Sequence, residues 1–246
     1  MQKFFVEANQ IKNNQIFIKG TDVNHISKVL RYQIGDKIQV GNKQTKQSYT
    51  AVIEKFNREE VVASIIDIVE AKNKAQIEID LYQGLPKADK LEWIIQKTTE
   101  LGIHAITPVA MERSIVKIPE KEITKKLQRW QKIAEVAAKQ SKREEIPEIL
   151  TIISIEQVIK RIEDYDLFLV AYEEEKTVTL KEVLQKAKQQ QAKRVGILIG
   201  PEGGISLEEI EKLRKANTNM ITLGERILRT ETAPIAMTSI IMYELE

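Results

Sequence analysis

Two short stretches of the chain carry residues whose types and spacing could do chemistry. The first is Gly200-Pro-Glu-Gly-Gly-Ile-Ser206, which follows the apolar, β-branched run Val195–Ile199. Such a run reads as a strand buried on both faces. The glycines after it supply positive φ and let another molecule approach bare backbone. Ser206 and Glu209 form a capping box with Ile205 and Ile210 at the staple positions, so a helix starts there. Strand, glycine loop and helix N-terminus together present backbone N–H groups to a ligand. The second stretch is Leu223-Gly-Glu-Arg-Ile-Leu-Arg-Thr-Glu-Thr-Ala233, where two arginines and two glutamates alternate with apolar residues. A loop of that kind, leading into a buried helix, can hold charges in a dry pocket where their interactions strengthen.

Neither stretch matches the commoner phosphate motifs. The glycine loop lacks the Lys-Ser/Thr ending of a P-loop and the G-x-G-x-x-G of a dinucleotide fold. Taken alone it serves equally well as a tight strand-to-helix turn. The chain has no cysteine, which excludes disulfides, thiolate catalysis and Cys-ligated metals. His25 and His104 are the only histidines and show no metal-ligand spacing, so no metal is expected. His104 reads as a structural residue. No G-x-S-x-G elbow supports triad hydrolysis, and Glu173-Glu-Glu175 reads as a solvated turn.

The elements that must position these stretches follow from periodicity. The 246 residues carry 42% hydrophobic and 30% charged residues with a formal net charge of +2, so any nucleic-acid contact needs a local basic face. The N-terminus is too polar beyond residue 6 for a signal peptide, and no apolar run approaches the roughly 18 residues of a membrane helix. A soluble, cytoplasmic protein with no membrane partner is expected. Residues 1–72 read as a small β-barrel with strands at Lys3–Glu7, Gln15–Lys19, Lys37–Gly41, Ser48–Phe56 and Glu60–Val69. One helix interrupts them, capped by Thr21 or Asp22, with Val23, Ile26, Val29 and Leu30 as its apolar stripe. His25, Lys28, Arg31 and Tyr32 lie on its exposed side, either as a solvated face or as an RNA surface.

The polar segment Glu70–Ala75 reads as a linker, and 73–246 as an α/β domain on a largely parallel sheet. Its strands are Gln76–Gln83, Ile103–Val109, Asp166–Ala171, Val195–Ile199 and Met220–Leu223. Helices fall at Asp89–Leu101, ended by Gly102, at Glu120–Arg143, and after the Thr179/Glu182 cap. The Glu120–Arg143 helix turns Ile123, Leu127, Trp130, Ala134 and Ala137 inward. Between residues 121 and 143 eight Lys/Arg stand against two Glu, enough for a phosphate-tracking surface or merely a solvated face. A final helix with Pro234 at its first position is apolar nearly all round to Leu245, so it is buried against the sheet or a second subunit. Ligands on such sheets bind outside the carboxyl ends of strands, and both chemical stretches sit there.

Ile199-Gly-Pro-Glu-Gly-Gly-Ile-Ser206 together with Leu223–Ala233 resembles the RsmE family of SPOUT methyltransferases. The likeness continues in Lys97-Thr-Thr-Glu-Leu-Gly102, in Ala137-Ala-Lys-Gln-Ser-Lys-Arg143 with Pro147, and in His25-Ile-Ser-Lys-Val-Leu-Arg31 with Gly35-Asp36. It covers essentially the whole chain; only Gly41–Lys46 is more polar than the usual turn. The resemblance implies an α/β protein with an N-terminal PUA-like RNA-binding β-barrel (1–72). It implies a C-terminal SPOUT domain (73–246) containing a deep trefoil knot, a feature nearly absent among proteins at large. It also implies a homodimer, and methyl transfer from S-adenosylmethionine to N3 of a uridine in 16S rRNA or the small ribosomal subunit.

On that resemblance, loops 198–205 and 223–233 wrap the cofactor. Gly200, Gly203, Gly204 and Gly224 offer bare backbone, and Leu198, Ile199, Leu223, Ile227 and Leu228 the apolar walls. Pro201, Glu202, Thr232 and Ala233 complete the expected contacts. Uridine N3 lies on the Watson–Crick edge, so the base must be unpaired or flipped. Loss of its proton leaves an anion that a guanidinium would stabilise: Arg229 is the first choice and Arg226 the second. Glu231 either accepts the proton or, better suited to a weak base, positions Arg229. RNA contacts are expected at Lys28, Arg31, Lys87, Arg113, Gln140 and Arg143, mainly to phosphates. Competing readings are a non-catalytic RNA-binding protein, a SPOUT methyltransferase acting on another base, and an α/β enzyme using another nucleotide.

Overall fold

The computed structural model describes residues 1–69, 77–216 and 218–246. The expected linker Glu70–Ala75 lies outside them. The chain divides into two compact units: the described residues of Met1–Lys74 with Ala138–Ile146, and those of Ala75–Ala137 with Pro147–Glu246.

The first unit is built on strands β1 (Lys3–Val6), β2 (Ile11–Lys12), β3 (Gln15–Lys19), β4 (Lys37–Asn42), β5 (Ser48–Phe56) and β6 (Glu60–Val69). They form one sheet in the order β1-β4-β5-β6-β3-β2, parallel between β1 and β4 and antiparallel elsewhere. Two register shifts between β5 and β6 bend it. Period-two alternation puts Ile16, Ile18, Ile38, Val40, Ala51 and Ile53 into a core with Phe4, Val6, Val23 and Ile26. Among the described residues, ion pairs tie 138–146 into this unit, Lys46 to Glu145 at 2.7 Å among them. Lys139 meets Asp22 at 2.8 Å, and the buried Lys3 ammonium reaches Glu144 at 2.8 Å and Ser48 Oγ at 2.9 Å.

Expectations about two helices are corrected. The helix is α1 (Thr21–Asn24) running into a π turn over His25–Val29, closed by Leu30 N–H donating to His25 O at 2.9 Å. The wider turn swings the stripe off the core, so Val23 and Ile26 are buried while Val29 and Leu30 are exposed. Gly20, not Thr21 or Asp22, precedes the first helical residue. The basic helix is also less basic at its surface than its composition suggests. It stops at Gln140, and Lys139 is sunk into its Asp22 pair. Arg143 is half-buried; burial pushes its pKa down to about 10, against the pull of Glu145.

The second unit carries β7 (Glu78–Gly84), β8 (Ala105–Ala110), β9 (Glu148–Ile149), β10 (Ile153–Ser154), β11 (Leu167–Ala171), β12 (Arg194–Ile199) and β13 (Asn219–Ile221). Every pairing is parallel, in the order β10-β8-β7-β12-β11-β13 with β9 on β8. The helices are α2 (Lys90–Glu100), α3 (Glu120–Gln140), α4 (Ile155–Ile159), α5 (Leu180–Gln189), α6 (Leu207–Lys215) and α7 (Thr232–Leu245). Tyr82, Val170 and Leu198 share a cluster with Val158 of α4 and Ile210 and Leu213 of α6. Helix α7 packs on β7 and β12 and against α2 and α5. Among the described residues no helix is long and apolar enough to cross a membrane.

The Ser206/Glu209 and Thr179/Glu182 capping boxes form as read, and Gly102 adopts φ +105° after α2. Helix α7 begins two residues before Pro234, because Arg229 O already accepts from Thr232 N and Ala233 N. It is not covered all round, since Ile240 and Tyr243 are exposed.

Candidate active site

Strands β11, β12 and β13 end at Ala171, Ile199 and Ile221, and a cavity of about 500 Å³ opens beyond them. Its walls come from three places along the chain: 171–173, 199–204 and 222–233, with Lys90 at the start of α2. Gly204 holds φ +71°, and a Cβ there would collide with the Glu173 carboxylate. Gly224 holds φ +107° with nothing within 4 Å of a Cβ built on it, so it turns the chain beside open space. Both need glycine, the first for close approach as well as conformation.

The two loops are tied together by side chains. Thr230 is buried; its hydroxyl donates to Gly200 O at 2.7 Å and accepts from Gln83 Nε2 at 3.0 Å. The Lys90 ammonium lies 3.1 Å from Glu202 Oε1 and 3.1 Å from Glu231 Oε2, so one cation clasps an acid from each loop. Those two acids raise the Lys90 pKa, Glu231 first. Burial would raise the Glu231 carboxyl, but its backbone hydrogen bond and Lys90 outweigh it and hold the group below the ordinary range. Burial likewise opposes, and donors including Lys87 N–H and Lys90 overcome, a lowered Glu202. Arg229 is different: its guanidinium is 4.0 Å from Glu231 Oε1 and 82% exposed. Glu231 thus pairs more closely with Lys90, and the Arg229 guanidinium stays largely exposed at the cavity wall.

Of the expected cofactor contacts, Ile199, Gly200, Pro201, Glu202, Gly204, Leu223, Gly224, Ile227, Leu228 and Ala233 line the cavity, as do Arg226 and Arg229. Four expected residues do not. Leu198 is in the core, Gly203 sits under Arg113, Thr232 is exposed at the start of α7, and Glu231 turns to Lys90. The dry pocket expected for 223–233 is half open, with Arg226 and Ile227 exposed. Sequence reasoning missed Lys90, Glu173, Thr222 and Thr230. Glu173 and Lys90 follow the carboxyl ends of β11 and β7, so the rule that picked out the two loops could have found them.

Two expected RNA contacts flank the glycine loop. Arg113 Nη1 donates to Gly203 O at 3.1 Å, and Lys87 N–H donates to Glu202. Lys28, Arg31, Gln140 and Arg143 belong to the first unit, with Lys28, Arg31 and Gln140 exposed.

A parallel sheet whose carboxyl-end loops enclose a glycine-lined cavity, joined to a separate β unit, defines the class. Residues 73–242 match the family described as RNA methyltransferase domain, and 18–66 match the RNA methyltransferase PUA domain. The ribosomal RNA small subunit methyltransferase E of Bacillus subtilis (strain 168) is 38% identical over 251 residues, covering 100% of this chain and 98% of its own. A Neisseria gonorrhoeae ribosomal RNA small subunit methyltransferase E, solved bound to S-adenosyl methionine, matches at TM-score 0.88 and 28% identity, covering 99% and 97% of the two chains. A putative Legionella pneumophila methyltransferase solved with the same cofactor matches at TM-score 0.86 and 28% identity, covering 98% and 96%. This chain belongs to the ribosomal RNA small subunit methyltransferase E family.

Proposed function

We propose that this protein transfers a methyl group from S-adenosylmethionine to N3 of a uridine in small-subunit (16S) ribosomal RNA. The observation that carries the reading is the clasped cavity: two loops meet over bare backbone, with the exposed guanidinia of Arg226 and Arg229 at its wall. The residues present fit the cofactor. A 500 Å³ cavity suits a ligand of that size. The left-handed Gly204 and Gly224 provide a cradle that side chains would fill, and Glu173 puts a carboxylate at the wall for a cationic ligand.

When bound, S-adenosylmethionine supplies an electrophilic methyl on a sulfonium. The chain's own residues do the rest. Ile199, Leu223, Ile227 and Leu228 give the apolar walls, and Gly200, Gly204 and Gly224 the open backbone. Arg229 stabilises charge that develops on the uracil carbonyls as N3 gives its proton to solvent water at the open cavity, with Arg226 second to it. Glu231 is a poor proton acceptor, since its carboxyl lies below the ordinary range. It acts instead through Lys90, holding the 223–233 loop against Glu202.

The finer architecture belongs to the same reading. The bent six-stranded sheet supports a PUA-like RNA-binding barrel, and the Thr230 bond that joins the 222–233 segment to Gly200 is compatible with the deep trefoil knot of the family. The exposed Ile240 and Tyr243 of α7 suit a homodimer, and the cytoplasm is where ribosomal RNA is met. Calorimetric titration with S-adenosylmethionine and, separately, ATP tests the site: binding of the first without added metal is expected, and binding of ATP alone would overturn it. Mass spectrometry of rRNA from cells with and without the gene should then reveal one missing 3-methyluridine.

A further inference from the structure

The first unit exposes a combination that its fold does not require. Val29, Leu30 and Ile34, three large aliphatic residues within six positions, are 68%, 37% and 67% exposed. Ordinary α geometry would have turned Val29 and Leu30 toward Ile26; the π turn at His25–Val29 turns them out instead. Single-turn π insertions of this kind are frequent at functional sites. Arg31, between the aliphatics, holds φ +55°, a left-handed conformation uncommon for a non-glycine residue.

The charges around these residues are one-sided. Lys28 and Arg31 are exposed, and among the described residues neither has an ion-pair partner. The nearby acids are already committed: Asp22 to Lys139 at 2.8 Å, and Asp36 to the Gln33 N–H at 2.7 Å. The surface therefore offers unpaired cations alternating with apolar side chains. That complements a polyanion with exposed base faces, in which phosphates meet the cations and unstacked bases meet the aliphatics.

We propose that Lys28–Ile34 is an RNA-opening wedge: Val29, Leu30 and Ile34 insert against unstacked bases of the substrate while Lys28 and Arg31 hold the flanking phosphates. This rests on the reading that RNA is the substrate. It adds how the strand is opened, which methylation on a Watson–Crick edge requires.

The test uses the full chain with an RNA hairpin carrying 2-aminopurine in its unpaired loop, and a matched perfect duplex. Wild type should bind the hairpin more tightly and raise 2-aminopurine fluorescence as the base unstacks. The triple variant Val29→Ser, Leu30→Gln, Ile34→Ser should lose roughly tenfold in hairpin affinity. It should also lose the fluorescence rise, yet keep wild-type salt dependence and S-adenosylmethionine binding. The double variant Lys28→Ala, Arg31→Ala should flatten the salt slope by about one to two instead. Unchanged hairpin binding and fluorescence in the triple variant would overturn the wedge. So would a triple variant that alters only the sedimentation of the protein, which would assign the patch to a second copy. A wild-type protein that neither binds nor methylates RNA would sink the functional reading itself, a result distinct from either.

Discussion

The two ends of the parallel sheet in the second unit treat polar side chains in opposite ways. At the amino ends of β7, β8, β11 and β12, Asp80 is buried and fully engaged: it accepts from Tyr165 Oη at 2.8 Å, meets His104 Nδ1 at 2.7 Å and lies 3.4 Å from Arg194. Tyr82 and Tyr165 share a hydroxyl contact of 2.8 Å, and the Arg194 guanidinium sits 4.9 Å from the Tyr165 ring centre. Burial would raise the Asp80 carboxyl, but the His104 and Tyr165 bonds and the nearby cations bring it below its usual value. Burial, with Tyr82 and Asp80, pushes Tyr165 up. At the carboxyl ends, by contrast, backbone is left bare and the Arg226 and Arg229 guanidinia stay exposed at the cavity wall. A polar group whose partners are all internal builds structure, whereas one withheld from partners is available to a ligand. That distinction separates a cluster whose partners are all internal from a cavity wall that leaves polar groups for a ligand.

Five substitutions at four positions would break or sharpen the contrast. The largest effect is expected from Arg229→Ala, which should cut kcat about 10²–10³-fold while leaving the melting temperature in place; near wild-type kcat in a steady-state assay would remove Arg229 from its assigned role. Asp80→Ala should do the reverse, costing about 3 kcal/mol in urea unfolding with KM for S-adenosylmethionine unchanged. Because the folded Asp80 pKa is depressed, its contribution is complete above the ordinary aspartate value of 3.8 and is lost as pH falls through the lower folded value. Asp80→Asn should therefore flatten stability against pH in that acid window, and an unaltered profile would show that the network carries no linkage. Gly204→Ala should weaken S-adenosylmethionine binding by roughly tenfold, through left-handed strain and the collision with Glu173. The smallest effect should come from Lys90→Gln, with KM for S-adenosylmethionine up about two- to fivefold and kcat less affected. A drop in kcat alone would instead place Lys90 at the reacting atoms.

Much of the second unit is legible because its signals are short-range. The apolar run Val195–Ile199, the Ser206/Glu209 box and Gly102 each specify backbone through neighbours a few residues away. The first unit's strands are legible for the same reason, their alternation being a local pattern. The π turn is not, because a register shift of one hydrogen bond leaves the hydrophobic spacing of Val23, Ile26, Val29 and Leu30 looking α-helical. Nor is the loss of Lys139 from the basic face, since its partner Asp22 is 117 residues away.

The site divides along the same line. From its residues alone, the chain determined that a glycine loop and an arginine-bearing loop both fall at the carboxyl ends of strands. Only the tertiary structure decided that Lys90 clasps Glu202 and Glu231, that Thr230 bonds to Gly200 and to Gln83, 147 residues away, and that Arg229, 4.0 Å from Glu231, stays exposed. The physical reason is one of range. Capping, turn chemistry and periodicity act along the chain, whereas the partner a charge finds depends on which distant segments the parallel sheet brings to one edge.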